Sequence, residues 1–157
     1  MVQLKTGQFD IVSELMSHFS HQLVIPSVIR GHAPALVWVD STESPEVAVV
    51  WDLVNGLVFC SASSSEEPHV ARLVEFLQDD LLPRAEAEGY VPFQLEAAPN
   101  SLLEVIRDGL SELPSSDESL LLYSRTPDAG PVASSVPAET ASDFEVIQLT
   151  GDLLASA

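Results

Sequence analysis

The chain has 157 residues, 46% of them apolar, with six basic residues against 24 acidic ones and a formal net charge of −18. That length and apolar content describe one globular domain with a real core and exclude a disordered chain. So acidic a surface repels nucleic acid, acidic lipid and nucleotide cofactors over a Debye length of roughly 8–10 Å, and the scattered Lys5, Arg30, Arg72, Arg84, Arg107 and Arg125 make no basic patch to offset it.

In chain order, MVQLKTGQFD has no apolar stretch behind a basic start, so no signal peptide is expected. Phe9, Val12, Met16, Phe19 and Leu23 recur at helical spacing and predict an amphipathic helix over 9–22. Asp10 and Glu14 sit in its first half, where the helix dipole favours acids. IPSVIRG, 25–31, predicts a short second helical turn, with Pro26 in its first turn and Gly31 at its stop. ALVWVD (35–40), EVAVVWDL (46–53) and LVFCSA (57–62) are dense in β-branched and aromatic residues and predict an antiparallel meander. STESP makes the first turn, and Asn55-Gly56 predicts a type I′ hairpin turn for the second. The strands are almost wholly apolar instead of alternating, so both sheet faces should be covered, by helices.

Val70, Leu73, Val74, Leu77 and Leu81 predict a long amphipathic helix over about 67–88, interrupted by Pro83 and ended by Gly89. YVPFQLEA (90–97) reads as a strand in which Pro92 marks an edge or bulge. Asn100 or Ser101 should cap a helix over 101–112 that buries Leu102, Val105, Ile106 and Leu110. ESLLLYSR (118–125) reads as a further strand. TPDAGPVASSVPAETASD, 126–143, has almost nothing to bury and reads as an acidic Pro/Ala/Ser linker or exposed loop. FEVIQLTGDLLASA then resumes as a strand at 144–149 and opens a helix too short to stand alone, so more protein is expected after Ala157.

No apolar run approaches the ~20 residues that span a bilayer. Cys60 is the only cysteine, so no internal disulfide forms, which fits a reducing cytoplasm. The acidity itself reads first as a solubility or halotolerance trait.

The element order is helix, short helix, three-strand meander, long helix, strand, helix, strand. That order resembles the GNAT N-acetyltransferase fold. PSVIRGHAPALVWVDSTESPEVAVVWDLVNGLVF is similar to the N-terminal half of a bacterial GNAT-related family whose members carry this lobe ahead of a second, C-terminal GNAT lobe. Gly31 with Pro34, the VWVD strand, the SPEVAVVW turn and strand and the glycine hairpin carry the likeness, and LLPRAEAEG and FEVIQLTGDLLAS extend it. The resemblance implies an α/β (α+β) fold, a three-layer α/β/α lobe over 1–125 with a mixed, mostly antiparallel sheet. It places 144–157 on the way into the second lobe. Catalysis and acetyl-CoA would belong to that C-terminal lobe, in the same polypeptide or another subunit. This chain would supply packing surface and a wall of the acceptor site, with no nucleic-acid or membrane partner and with a homodimer left open.

An active GNAT lobe places a Q/R-x-x-G-x-G/A loop between its fourth strand and the next helix, where backbone N–H groups approach the coenzyme A pyrophosphate. SSSEEPHVAR stands at that place and contains no glycine. Glu66 and Glu67 put carboxylates on the helix N-terminus, Pro68 removes a donor, and Ser64 or Ser65 is expected to cap the helix. A like charge a few ångströms from a phosphate costs about 1 kcal/mol even in water. The join therefore reads as structural, and no catalytic, cofactor-binding or metal-binding residue is assigned to this chain. The alternative function is a stand-alone binding or interaction module with a degenerate GNAT fold.

Other chemistry-bearing residues carry bland readings. His18 and His21, at i, i+3, could share a metal, but no third ligand is evident, and solvent-facing histidines are the preferred reading. Cys60 and His69 could form a nucleophile pair, against which stands a buried, inert thiol. Ser61, Ser63, Ser64 and Ser65 lack a nucleophile-elbow motif. Asp79 and Asp80 diverge by ~100° on a helix and read as a solvated face. Trp38, Trp51, Phe59, Phe93 and Tyr123 could line a groove, but core packing is preferred.

Overall fold

The computed structural model describes residues 1–64, 68–90, 94–114 and 116. All lie in the compact unit Met1–Ser116. The strand expected at 118–125, the linker at 126–143 and the segment 144–157 lie outside the described residues, as do Ser65, Glu66, Glu67, Phe93 and Tyr123.

The architecture is α+β, built on a mixed five-stranded sheet in the order β1 (Val2–Gln3), β2 (Ala35–Val39), β3 (Val47–Asp52), β4 (Leu57–Ala62), β5 (Gln94–Ala98). The first three pairings are antiparallel. β4 and β5 run parallel, from Leu57 opposite Gln94 to Ser61 opposite Ala98, because a helical crossover separates them in sequence. The meander falls where its β-branched runs predict. β1 is too short to be read from sequence; it pairs Gln3 with Trp38 at one edge.

Every residue of β3 is buried, and both sheet faces are covered. Trp38, Val49, Trp51, Val58 and Cys60 point to one face and pack with Leu73, Leu77, Leu81, Leu102 and Ile106. Val37, Val39, Val50 and Phe59 point to the other and pack with Phe9, Val12, Met16, Phe19, Ile25 and Val28. This is why the strands are apolar without alternation.

The predicted helix over 9–22 is corrected. The chain there forms two 3₁₀ segments, Phe9–Val12 and Leu15–Phe19. Phe9, Val12, Leu15 and Met16, and Phe19 are the buried residues, a repeat near three that suits a three-residue turn. Ser13 and Ser17 among them and Ser20 after them are poor helix-interior residues. Leu23, expected on the buried face, is 85% exposed. The short helix α1 (Val24–Ile29) carries Pro26 in its first turn, and Gly31 follows its end.

The predicted helix over 67–88 is α2 (His69–Phe76), a π-helical turn (Leu77–Leu81) and α3 (Leu82–Ala87). The expected interruption takes the form of this wider turn, in which the Leu82 N–H donates to the Leu77 carbonyl. It comes directly before Pro83, which has no N–H and crowds the carbonyl four residues back. Pro68 occupies the position directly before α2 and makes no side-chain capping bond; Ser65 lies outside the described residues. α4 (Asn100–Gly109) likewise starts after Pro99 and not from an Asn100 or Ser101 cap, and ends short of 112. Leu102 and Ile106 are buried as expected, whereas Val105 is exposed.

The hairpin between β3 and β4 also departs from the type I′ expectation. Among the described residues only glycines have positive φ, so Asn55 does not adopt the turn's left-handed geometry; Gly56 alone does, at φ 72°. Asp52 builds the turn instead. Its carboxylate accepts from the Val54 N–H (2.9 Å) and the Asn55 amide (2.6 Å), and its carbonyl accepts from the Gly56 N–H (2.9 Å). A Cβ at Gly56 would lie 2.8 Å from the Tyr90 ring.

Candidate functional site: a carboxylate–histidine clasp at the end of β4

The end of β4 lies beside the turn between β2 and β3. Ala62 pairs with Val47, and the Ser63 N–H donates to the Glu46 carbonyl at 2.9 Å. Asp40 closes that turn. Its Oδ1 accepts from the N–H groups of Ser41 (3.0 Å), Glu46 (2.9 Å) and Val47 (3.1 Å). This is the local chemistry that makes Asp and Ser turn-formers, and Ser41 Oγ adds acceptance from the Glu43 and Ser44 N–H groups.

The other oxygen of Asp40 reaches across to α2. His69 Nδ1 lies 2.9 Å from Asp40 Oδ2, and His69 Nε2 lies 3.2 Å from Glu46 Oε2. Both contacts are hydrogen bonds together only when the ring carries both protons. Burial pushes the Asp40 carboxyl up. The hydrogen bonds from Val47, Glu46, the His69 ring and Ser41 together outweigh it and hold that carboxyl below the ordinary Asp value.

An Asp-oriented imidazole is one half of a catalytic dyad. Here, however, its outer nitrogen faces a second carboxylate. The two carboxylates also lie on opposite ring nitrogens, so the three side chains do not converge on a cation. Among the described residues no group of three His, Cys, Asp or Glu side chains could hold a metal ion. The cluster fastens the β2–β3 turn to the start of α2 and leaves negative charge at the end of β4.

Cys60 and His69 do not pair. His69 is engaged by Asp40 and Glu46, while Cys60 is fully buried and its burial pushes the thiol up. His18 and His21 are both exposed. Ser61 is buried, its hydroxyl donating to the Leu15 carbonyl at 2.6 Å. Asp79 and Asp80 are exposed on the π turn. Trp38 and Trp51 face one side of the sheet and Phe59 the other, so they line no common groove. Asp40 and Glu46 were not singled out from sequence. They lie 29 and 23 positions from His69, and only the strand register brings them to it. The available signal was an acid at a strand end followed by a Ser-rich turn.

No helix among the described residues is long and apolar enough to cross a membrane. No protein-family model matches the chain, and a search of curated proteins finds no match.

Proposed function

We propose that this chain is the non-catalytic N-terminal lobe of a GNAT-type N-acetyltransferase. Acetyl-CoA binding and transfer to an amine would belong to a C-terminal lobe of the same polypeptide or of another subunit. The element order and the parallel β4–β5 pair joined over a helix support the GNAT-like, three-layer reading.

One observation carries the non-catalytic part. The carboxylates of Asp40 and Glu46 sit at the end of β4, where a diphosphate would need N–H donors and positive charge. The even pairing of β4 with β5 through Ser61 and Ala98 agrees with it, since a cofactor arm would need those strands apart.

The test is isothermal titration of this chain with acetyl-CoA, followed by amide spectra. The expected result is no saturable heat. Saturable binding with shifts confined to residues 62–70 would overturn the reading. A coding sequence after Ala157 that carries a Q/R-x-x-G-x-G/A join would support the catalytic partner. A lobe with no such partner would instead be an interaction module.

A further inference from the structure

Asn55-Gly56 is a chemically labile pair as well as a turn. Of the two asparagines, Asn55 and Asn100, only Asn55 precedes a glycine, whose missing side chain leaves the backbone nitrogen open to approach. Deamidation needs only water as co-reactant. The Gly56 nitrogen gives up its proton to solvent and attacks Asn55 Cγ, forming an N–C bond. The Cγ–Nδ2 bond breaks, and the side-chain nitrogen takes up a proton and leaves as ammonia. Water then opens the cyclic imide at either carbonyl. The net change is amide plus water to acid plus ammonia, with aspartate or isoaspartate left at the position.

The fold restrains both reacting groups. Asn55 is exposed, but Gly56 is buried. The Gly56 N–H, whose nitrogen must attack, donates to the Asp52 carbonyl at 2.9 Å. The Tyr90 ring covers Gly56 so closely that a Cβ there would lie 2.8 Å from it. Tyr90 is fastened in turn, its hydroxyl donating to the Leu53 carbonyl at 3.1 Å and its ring standing edge-on to Trp51 at 5.3 Å. The leaving group is held too, since Asn55 Nδ2 donates to Asp52 Oδ2 at 2.6 Å. Asp52 is fully buried, which strengthens that bond. Its negative charge also opposes loss of the Gly56 proton beside it.

We infer that Asn55 is a modification site gated by Asp52: the turn must open before Asn55 deamidates, and deamidation then keeps the turn open. A carboxylate in place of the amide has no proton to donate to Asp52 Oδ2 and sets a like charge against it. Isoaspartate also lengthens the backbone inside a turn whose length fixes the β3–β4 register. The gate operates whether or not the lobe serves acetyl transfer.

The test is peptide mass mapping of residue 55 during incubation at mildly alkaline pH, with the folded chain compared against the same chain in urea. Hydrogen exchange of the Gly56 amide is followed in parallel. Folding should slow deamidation of Asn55 by about tenfold or more. Asp52→Ser keeps a hydroxyl that can accept from the Val54 N–H but removes the carboxylate that holds the Asn55 amide. It should speed deamidation of the folded chain by about tenfold, the loss expected for one charge-assisted hydrogen bond. Asn55→Asp, which copies one product, should exchange its Gly56 amide faster than the parent. Equal rates in the folded and urea-unfolded parent would overturn the inference whether or not any variant folds. So would a folded Asp52→Ser variant that deamidates no faster than the parent, or an Asn55→Asp variant with parent-like Gly56 exchange.

Discussion

The two faces of the sheet are equally apolar but covered in different ways. One is packed by α2, the π turn, α3 and α4. The other is packed by two 3₁₀ segments and the six-residue helix α1. Regular helix brings its own backbone hydrogen-bond ladder. The 3₁₀ side has a shorter one, and side-chain ties from Ser61 to Leu15 and from Gln22 to Glu96 fasten it. A buried apolar strand surface therefore does not dictate the structure that covers it; the spacing of apolar residues in the covering segment does.

The largest effects test the cores themselves. Leu73→Ala on the helical side and Phe59→Ala on the 3₁₀ side each remove a fully buried side chain, and each should cost about 2–5 kcal/mol in urea unfolding. Equal losses at both would show that the two covers form one cooperative core. Hydrogen exchange that opens only around residues 9–19 in the Phe59 variant would show the 3₁₀ cover to be a separate, weaker unit.

Ser61→Ala should come next, at about 1–3 kcal/mol, because it leaves the Leu15 carbonyl without its hydroxyl donor. It touches the 3₁₀ side alone. Gly109→Ala is its counterpart on the helical side. The added Cβ would lie 2.5 Å from Val74 Cγ1, on a β-branched side chain with little rotamer freedom. A net loss of about 1 kcal/mol is expected by thermal melting, after Ala's better helix propensity is counted. Restoration in the Gly109→Ala, Val74→Ala double variant would assign the loss to that contact.

The smallest effect is at the clasp. A carboxyl held below its ordinary value adds stability above the unfolded-state value, here near 3.8, and loses it as pH falls through the lower folded value. Asp40→Asn should therefore be less stable than the parent near neutral pH, with the gap closing on acidification below that range. A gap that stayed constant with pH would remove the charge from the explanation and leave only turn geometry.

Much of the described fold was legible. The β-branched density of runs such as VAVVWD between turn signals pointed to strands buried on both sides, and Pro83 announced the break that the π turn makes. Residues 9–22 were misread because a repeat near three and one near 3.6 look alike over so short a stretch, and the three serines were not weighed against the helix. The Asn55-Gly56 turn was misread because Asp52, just outside it, supplies the acceptors that set its geometry. The clasp was illegible for a different reason. His69 suggested the nearby Cys60, while its actual partners sit across a strand register that no local pattern reveals.

Cys60 lies at the centre of β4 with no exposed surface and, being the sole cysteine, is a built-in clock for opening of the molecule. A thiol reagent can reach it only when β4 and its covers come apart. Its labelling rate would thus time that rupture without any engineered probe.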